Sequence, residues 1–187
     1  MGDERGGPAV NMTGELVMLG PMERDQIPVY QRWMNDFETL RTQGEPLAGP
    51  ATLERVTRWY EGYVLASDTT AWFTVYERAT GRPIGWAELK DIDHHHGTAE
   101  YAIMIGEPDA RGKGYGAEVT RLMLDYGFRL LGLHNIHLSY LSFNPAAGRA
   151  YEKAGFREYG RRTEAHWSDG RRWDVVYMQC VAGESGT

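Results

Sequence analysis

Arg111-Gly112-Lys113-Gly114-Tyr115-Gly116-Ala117 decides how this chain folds. Three glycines in close succession stand between residues 98–105, which read as a strand, and residues 114–131, where Val119, Leu122, Met123, Tyr126 and Leu130 recur at helical spacing. Residues 136–141 then alternate apolar with polar, so strand, glycine loop, helix and strand form one βαβ unit. Successive glycine amides at the start of a helix, aided by the helix dipole, make an anion site suited to a phosphate. Glycine is needed there because a Cβ would hold an oxyanion off the backbone and because such a loop uses φ above zero. A triphosphate-hydrolysing loop would end in Gly-Lys-Ser/Thr, whereas Gly116 is followed by Ala117-Glu118. Gly112, Gly114 and Ala117 also fit a dinucleotide fingerprint. That site wants an acidic residue about 20 positions on, where this chain has His134-Asn135-Ile136-His137.

Working outward, residues 72–76, 84–92 and 98–105 read as strands of an antiparallel meander, joined by a turn around Gly81 and another at 94–97. Ahead of them come a strand at 15–19 and a helix opened by Asp25, running through Tyr30, Trp33 and Met34 with Pro28 in its first turn. A Gly/Pro-rich loop at 44–50 precedes a helix capped by Thr52, with Leu53, Val56, Tyr60 and Val64 on one side. Beyond the βαβ unit, a helix runs from Asn144-Pro145 to the C-cap Gly155, and strands at 159–166 and 173–181 flank Ser168-Asp169-Gly170. The fold class is α+β, a mixed central sheet of about seven strands flanked by about four helices.

The 187 residues, 42% hydrophobic and 12% aromatic, suit one packed domain, expected over 14–181, with frayed tails at 1–13 and 182–187. A net charge of −6 argues against nucleic acid as partner and favours a cationic or neutral substrate. Cys180 is the single cysteine, so neither an intrachain disulfide nor a cysteine zinc cage can form, which points to a reducing cytoplasm. No run of about 18 apolar residues marks a membrane span. Asp3, Glu4 and early glycines stand where a signal peptide needs an apolar core, so no export is expected.

Arg111-x-x-Gly114-x-Gly116 resembles the signature with which GNAT acyltransferases bind the pyrophosphate of acetyl-CoA. The run Asn144-Pro145-Ala146-Ala147-Gly148-Arg149-Ala150-Tyr151-Glu152-Lys153-Ala154-Gly155-Phe156 resembles the same family's N-x-x-A-x-x-x-Y-E-K-x-G-F helix, with Gly148 and Arg149 where aliphatics are frequent. Ala99-Glu100-Tyr101, Asp125-Tyr126-Gly127-Phe128, and Asp169-Gly170 with Asp174 and Met178 look like the branch holding ribosomal-protein alanine and spermidine N-acetyltransferases. The likeness runs from about Leu16 to Gln179 and implies the GNAT fold, with acetyl-CoA as co-substrate and no metal.

The resemblance makes Tyr151 the acid that protonates the departing thiolate, a role worth about 10²–10⁴-fold; otherwise it is a core aromatic beside Phe156. An ammonium must lose a proton before it attacks, and Glu100 and Glu88 on neighbouring strands are the candidate bases, or binders of the cation. Cofactor contacts are expected from Arg111, Gly112, Lys113, Gly114, Tyr115, Gly116 and Ala117. Backbone groups of Ile103, Met104 and Ile105 are expected to face the pantetheine arm, Asn144 to bond it, and Arg149 and Lys153 to meet phosphates. Asn144 also suits a helix cap, and the two cations could equally be solvated. His94-His95-His96 reads as a polar turn, since adjacent ligands do not converge on a metal. Most of Trp33, Trp59, Trp72, Trp86, Trp167 and Trp173 are expected in core or interface.

The expected reaction moves acetyl from acetyl-CoA to a primary amine of a cationic small molecule, such as a polyamine, amino sugar or amino-acid derivative, by direct attack in a ternary complex. Two alternatives are acetylation of a protein N-terminal alanine and a non-catalytic CoA-binding module. The acceptor is expected to be set by 37–66 and the last strands, and a homodimer is an expected assembly.

Overall fold

The computed structural model describes residues 7–44 and 49–183. The outer parts of the two expected tails, 1–6 and 184–187, and residues 45–48 of the Gly/Pro-rich loop lie outside the described residues. Eight strands form one sheet: β1 (Met12–Thr13), β2 (Val17–Pro21), β3 (Ala71–Glu77), β4 (Pro83–Asp93), β5 (Thr98–Ile105), β6 (Asn135–Leu141), β7 (Arg157–Ser168) and β8 (Arg171–Val181). Their order is β1-β2-β3-β4-β5-β6-β8-β7. All neighbours are antiparallel except β5 and β6, whose crossover is the predicted βαβ unit. The five helices are α1 (Ile27–Trp33), α2 (Phe37–Arg41), α3 (Leu53–Trp59), α4 (Tyr115–Asp125) and α5 (Pro145–Ala154).

The count exceeds the expected seven strands and four helices by β1 and α2. Part of the expected N-terminal tail is tied down: Met12 and Thr13 pair with Leu19 and Met18, and Asn11 N–H donates to Leu19 O. Five-residue α2 has no apolar periodicity to betray it; Asp36 caps it through Glu38 N–H. Asp25 does not cap α1, because a 3₁₀ turn at Arg24–Gln26 intervenes. Thr52 caps α3 as expected, but Leu53 is exposed and the helix widens into a π turn over Tyr60–Leu65. A second π turn, Tyr126–Leu130, ends α4 and brings Gly127 against Ile136, where a Cβ would stand 2.5 Å from Ile136 Cδ1.

Each face of the sheet carries its own core. One packs Val119, Met123, Tyr151, Ala154 and Phe156 of α4, α5 and the following residues onto Val75, Leu89, Tyr101 and Ile136. The other packs Tyr30, Trp33, Val56 and Tyr60 onto Trp86 and Met104. At about 25 cal/mol per Å² of buried apolar surface, these two layers fasten the helices to the sheet.

The sheet is not continuous. β5 and β6 pair only at Thr98↔Asn135, Ala99↔Ile136 and Glu100↔His137, and part beyond Glu100. Tyr151 fills the widening gap, its ring 6.3 Å from Tyr101 on β5 and 6.1 Å from Tyr140 on β6. Gly148 permits that arrangement, since a Cβ there would stand 2.6 Å from Tyr140 Oη.

Candidate active site

The loop after β5 is shaped as its glycines require. Gly112 and Gly114 hold φ of 73° and 87°, in the left-handed region that disfavours a side chain. At Gly116 the backbone makes no such demand: a Cβ there would meet nothing within 4 Å, so the surface above it is open. Gly114 stands at the N-cap of α4, no side chain caps the helix, and the first-turn amides of Tyr115, Gly116 and Ala117 close the loop. Lys113 is exposed beside them. Tyr115 turns away, its hydroxyl donating to Glu77 Oε1 at 2.7 Å, a bond that raises the phenol's pKa. Arg111 also turns away, toward α2, with Nη2 3.3 Å from Asp36 Oδ2 and Nε 3.3 Å from Ile105 O.

Beyond Glu100 the free edge of β5 offers backbone groups to the gap, but not all of those expected. Gly106 N–H donates to Ile84 O at 2.9 Å, and Trp86 stands opposite Met104. The alternation of an antiparallel ladder then commits the N–H and C=O of Met104 to β4 and turns those of Tyr101, Ile103 and Ile105 to the gap. Met104 is therefore corrected out of the edge, and Tyr101 joins it.

Five tyrosines are buried. Tyr30 Oη is bonded to Thr74 and Gln26, Tyr60 Oη donates to Met22 O, and Tyr76 Oη accepts from Gln26. Tyr101 Oη donates to Thr120 Oγ1 at 3.0 Å, which in turn donates to Gly116 O at 2.7 Å. Tyr151, 9% exposed, is the exception: its hydroxyl has no hydrogen-bond partner among the described residues and is not sealed from solvent. Burial, with the Tyr140 phenol nearby, pushes Tyr151 up to about 12. A phenol so placed stays protonated and has a proton to give.

Glu100 and Glu88 lie across the sheet from Tyr151. Their registers, opposite Lys90 and between Trp72 and Ala102, put them on the face of α1 and α3. Glu100 is the last paired residue before the gap and forms an ion pair with Lys90 at 3.3 Å. Glu88 is buried two residues along, beside the aromatic wall of that face. Asn144 Oδ1 accepts from Ala147 N–H at 3.2 Å and so caps α5. Arg149 and Lys153 lie exposed on α5 without an ion-pair partner among the described residues.

Residues 16–157 match the acetyltransferase (GNAT) domain family. The chain belongs to that family. Spermidine N(1)-acetyltransferase of Escherichia coli is 33% identical over 174 residues, covering 88% of this chain and 85% of that one. The Vibrio cholerae spermidine N(1)-acetyltransferase is 39% identical over 104 residues, covering 56% of this chain and 60% of its own length. A crystal structure of the V. cholerae spermidine N-acetyltransferase with CoA and spermine superposes with a TM-score of 0.83 at 27% identity, covering 91% of this chain and 98% of that one. The GNAT fold implied by the two motifs, and with it an acetyl-CoA-dependent N-acetyltransferase, is borne out, with eight strands rather than about seven.

The residues of this GNAT enzyme fit its cofactor: uncapped first-turn amides, open space over Gly116 and three backbone positions of β5 that β6 leaves unpaired. Acetyl-CoA supplies an activated acetyl thioester. Sequence inspection missed Tyr101 as an edge residue, Asp36 and Thr39 as partners of Arg111, and Glu118. Buried Glu118 accepts from the N–H groups of Glu15, Leu16 and Val17 at 2.8–2.9 Å and fastens β2 to α4. An acidic residue in a helix's first turn was the available signal. His94–His96 form a turn in which His95 and His96 N–H donate to Asp93 Oδ1. Trp33, Trp59, Trp72 and Trp86 form one cluster, and Trp173 packs on Phe143.

Proposed function

We propose that this enzyme acetylates a primary amine of a cationic small molecule of the polyamine class, by direct attack of the amine on the acetyl thioester. The bond to sulfur breaks as the bond to nitrogen forms. Tyr151 Oη delivers a proton to the departing sulfur, and Glu100, with Glu88 behind it, takes the proton the ammonium loses, through water. The observation that carries this is Tyr151: a protonated phenol, unpartnered and accessible, set where β5 and β6 part. The carboxylates on the opposite face support a cation approaching from that side, as does the likeness to spermidine acetyltransferases.

Glycine-loop amides hold the pyrophosphate, with Gly112, Gly114 and Gly116 giving access and Lys113 adding charge. Ile103 and Ile105 pair with the pantetheine arm, and Asn144, Arg149 and Lys153 flank it. The single domain, 14–181, works in the cytoplasm, consistent with Cys180 as a lone buried thiol. A homodimer would use edge strand β7, which exposes Tyr159 and Trp167.

Thiol release from acetyl-CoA decides the acceptor, with spermidine, spermine, an amino sugar and an Ala-initiated peptide offered in turn. Polyamines are expected to give the highest kcat/KM. Turnover confined to the peptide would replace this acceptor with a protein N-terminus.

A further inference from the structure

The free edge of β5 is already covered. Gln43 Nε2 donates to Ile103 O at 3.4 Å, and Arg111 Nε donates to Ile105 O at 3.3 Å. Both donors belong to one assembly centred on α2. Arg111 Nη2 also donates to Thr39 Oγ1 and Asp36 Oδ2, and Thr39 donates to Asp36 in turn. At its other end α2 reaches the far side of the gap. Arg41 bonds Asp169 in the β7–β8 turn and lies 5.2 Å from the ring centre of Phe143, the residue before Asn144. A Cβ on Gly44 would stand 3.6 Å from Leu141 Cδ1, at the end of β6. Residues 36–44 therefore touch both strands where they diverge and span the opening between them.

A carboxamide N–H and a guanidinium N–H are the donors a pantetheine amide would replace, because each offers an N–H to a strand carbonyl in the manner of an added strand. We infer that Gln43 and Arg111 hold α2 as a strap across the cofactor cleft, occupying two carbonyls of β5 that must be vacated before acetyl-CoA can seat. This rests on the reading that the pantetheine arm pairs with that edge. It assigns Gln43 a role against binding. Both bonds are long and partly exposed, so each is worth only a few-fold in affinity. Releasing them also frees α2, which opens the segment expected to shape the acceptor side. Cofactor-first order follows, with the acceptor site completed only after α2 lets go of β5.

The test is calorimetry of CoA binding to the full chain as wild type, Gln43→Ala and Gly114→Glu, with hydrogen exchange of residues 36–44 in the wild type with and without saturating CoA. The expected result is about three-fold tighter binding by Gln43→Ala, since a competing donor is gone, and faster exchange of 36–44 once CoA is bound. Unchanged or weaker binding by Gln43→Ala would overturn the strap, as would slower exchange of 36–44 with CoA. Wild-type affinity in Gly114→Glu would instead overturn the cofactor site on which the edge reading depends, because the glycine loop would then not hold CoA.

Discussion

The two faces of the sheet are built from different material. On the α4 and α5 face, the proposed ligand contacts come from backbone: glycine amides, a helix start and the edge of β5 that β6 leaves unpaired. On the α1 and α3 face, the surface is side chains, with the Trp86 ring 5.9 Å from Trp33 and 5.7 Å from Trp59 and carboxylates alongside. The difference teaches why one half of this enzyme is readable and the other is not. A backbone site restricts which residues are sterically allowed at fixed spacing, and so leaves a motif. A side-chain surface can be made by many sequences and leaves none.

That contrast can be broken most forcefully at Gly114. Gly114→Glu should abolish acetyl-CoA binding, by about 10³-fold or more, because a carboxylate would repel the pyrophosphate, while the circular dichroism spectrum stays folded. Calorimetry that found wild-type affinity would remove the cofactor from this face. Next is Glu118→Ala, which leaves the N–H groups of Glu15, Leu16 and Val17 without their acceptor and should destabilise the protein by about 3 kcal/mol in urea titrations. Tyr151→Phe should lower kcat about 10²-fold with CoA affinity nearly unchanged, since the proton is delivered only in the transition state. A kcat within a few-fold of wild type would return Tyr151 to the core.

On the acceptor face, a Cβ at Gly106 would collide with the Trp33 ring. Gly106→Ala should cost about 1–3 kcal/mol through displacement of that ring, read as a lower Tm. A further test is a pH dependence. Tyr151 is held up to about 12, above the roughly 10 of an unfolded tyrosine, so its contribution to stability is complete below pH 10 and is lost as pH rises to about 12. Tyr151→Phe should therefore show a shallower alkaline loss of stability than wild type over that window, at most about 2–3 kcal/mol.

Much of the cofactor side was legible. The cap Asn144 and the end of α5 at Gly155 follow from local spacing, Tyr151 was singled out by the resemblance of its helix to the GNAT motif, and β5 begins and ends where its alternation does. What was not legible depends on partners far away in sequence. Arg111 reads as a phosphate ligand, and nothing near it in sequence shows that Asp36, 75 residues upstream, stands beside it. Met104 reads as an edge residue until the Gly106–Ile84 bond fixes which neighbour its backbone faces. Helix α2 shows no period because five residues cannot complete two turns.

The Glu118 clamp has a consequence for the protein as it is made. Its carboxylate is separated from Glu15 by 103 residues, so the N-terminal strand cannot be fastened until α4 has been synthesised. At about 5–20 residues per second, that leaves roughly 5–20 s in which β2 has only β1 and, once it is made, β3 to pair with. During that interval the N–H groups of Glu15, Leu16 and Val17 have no carboxylate to receive them, and β2 is held by its strand neighbours alone.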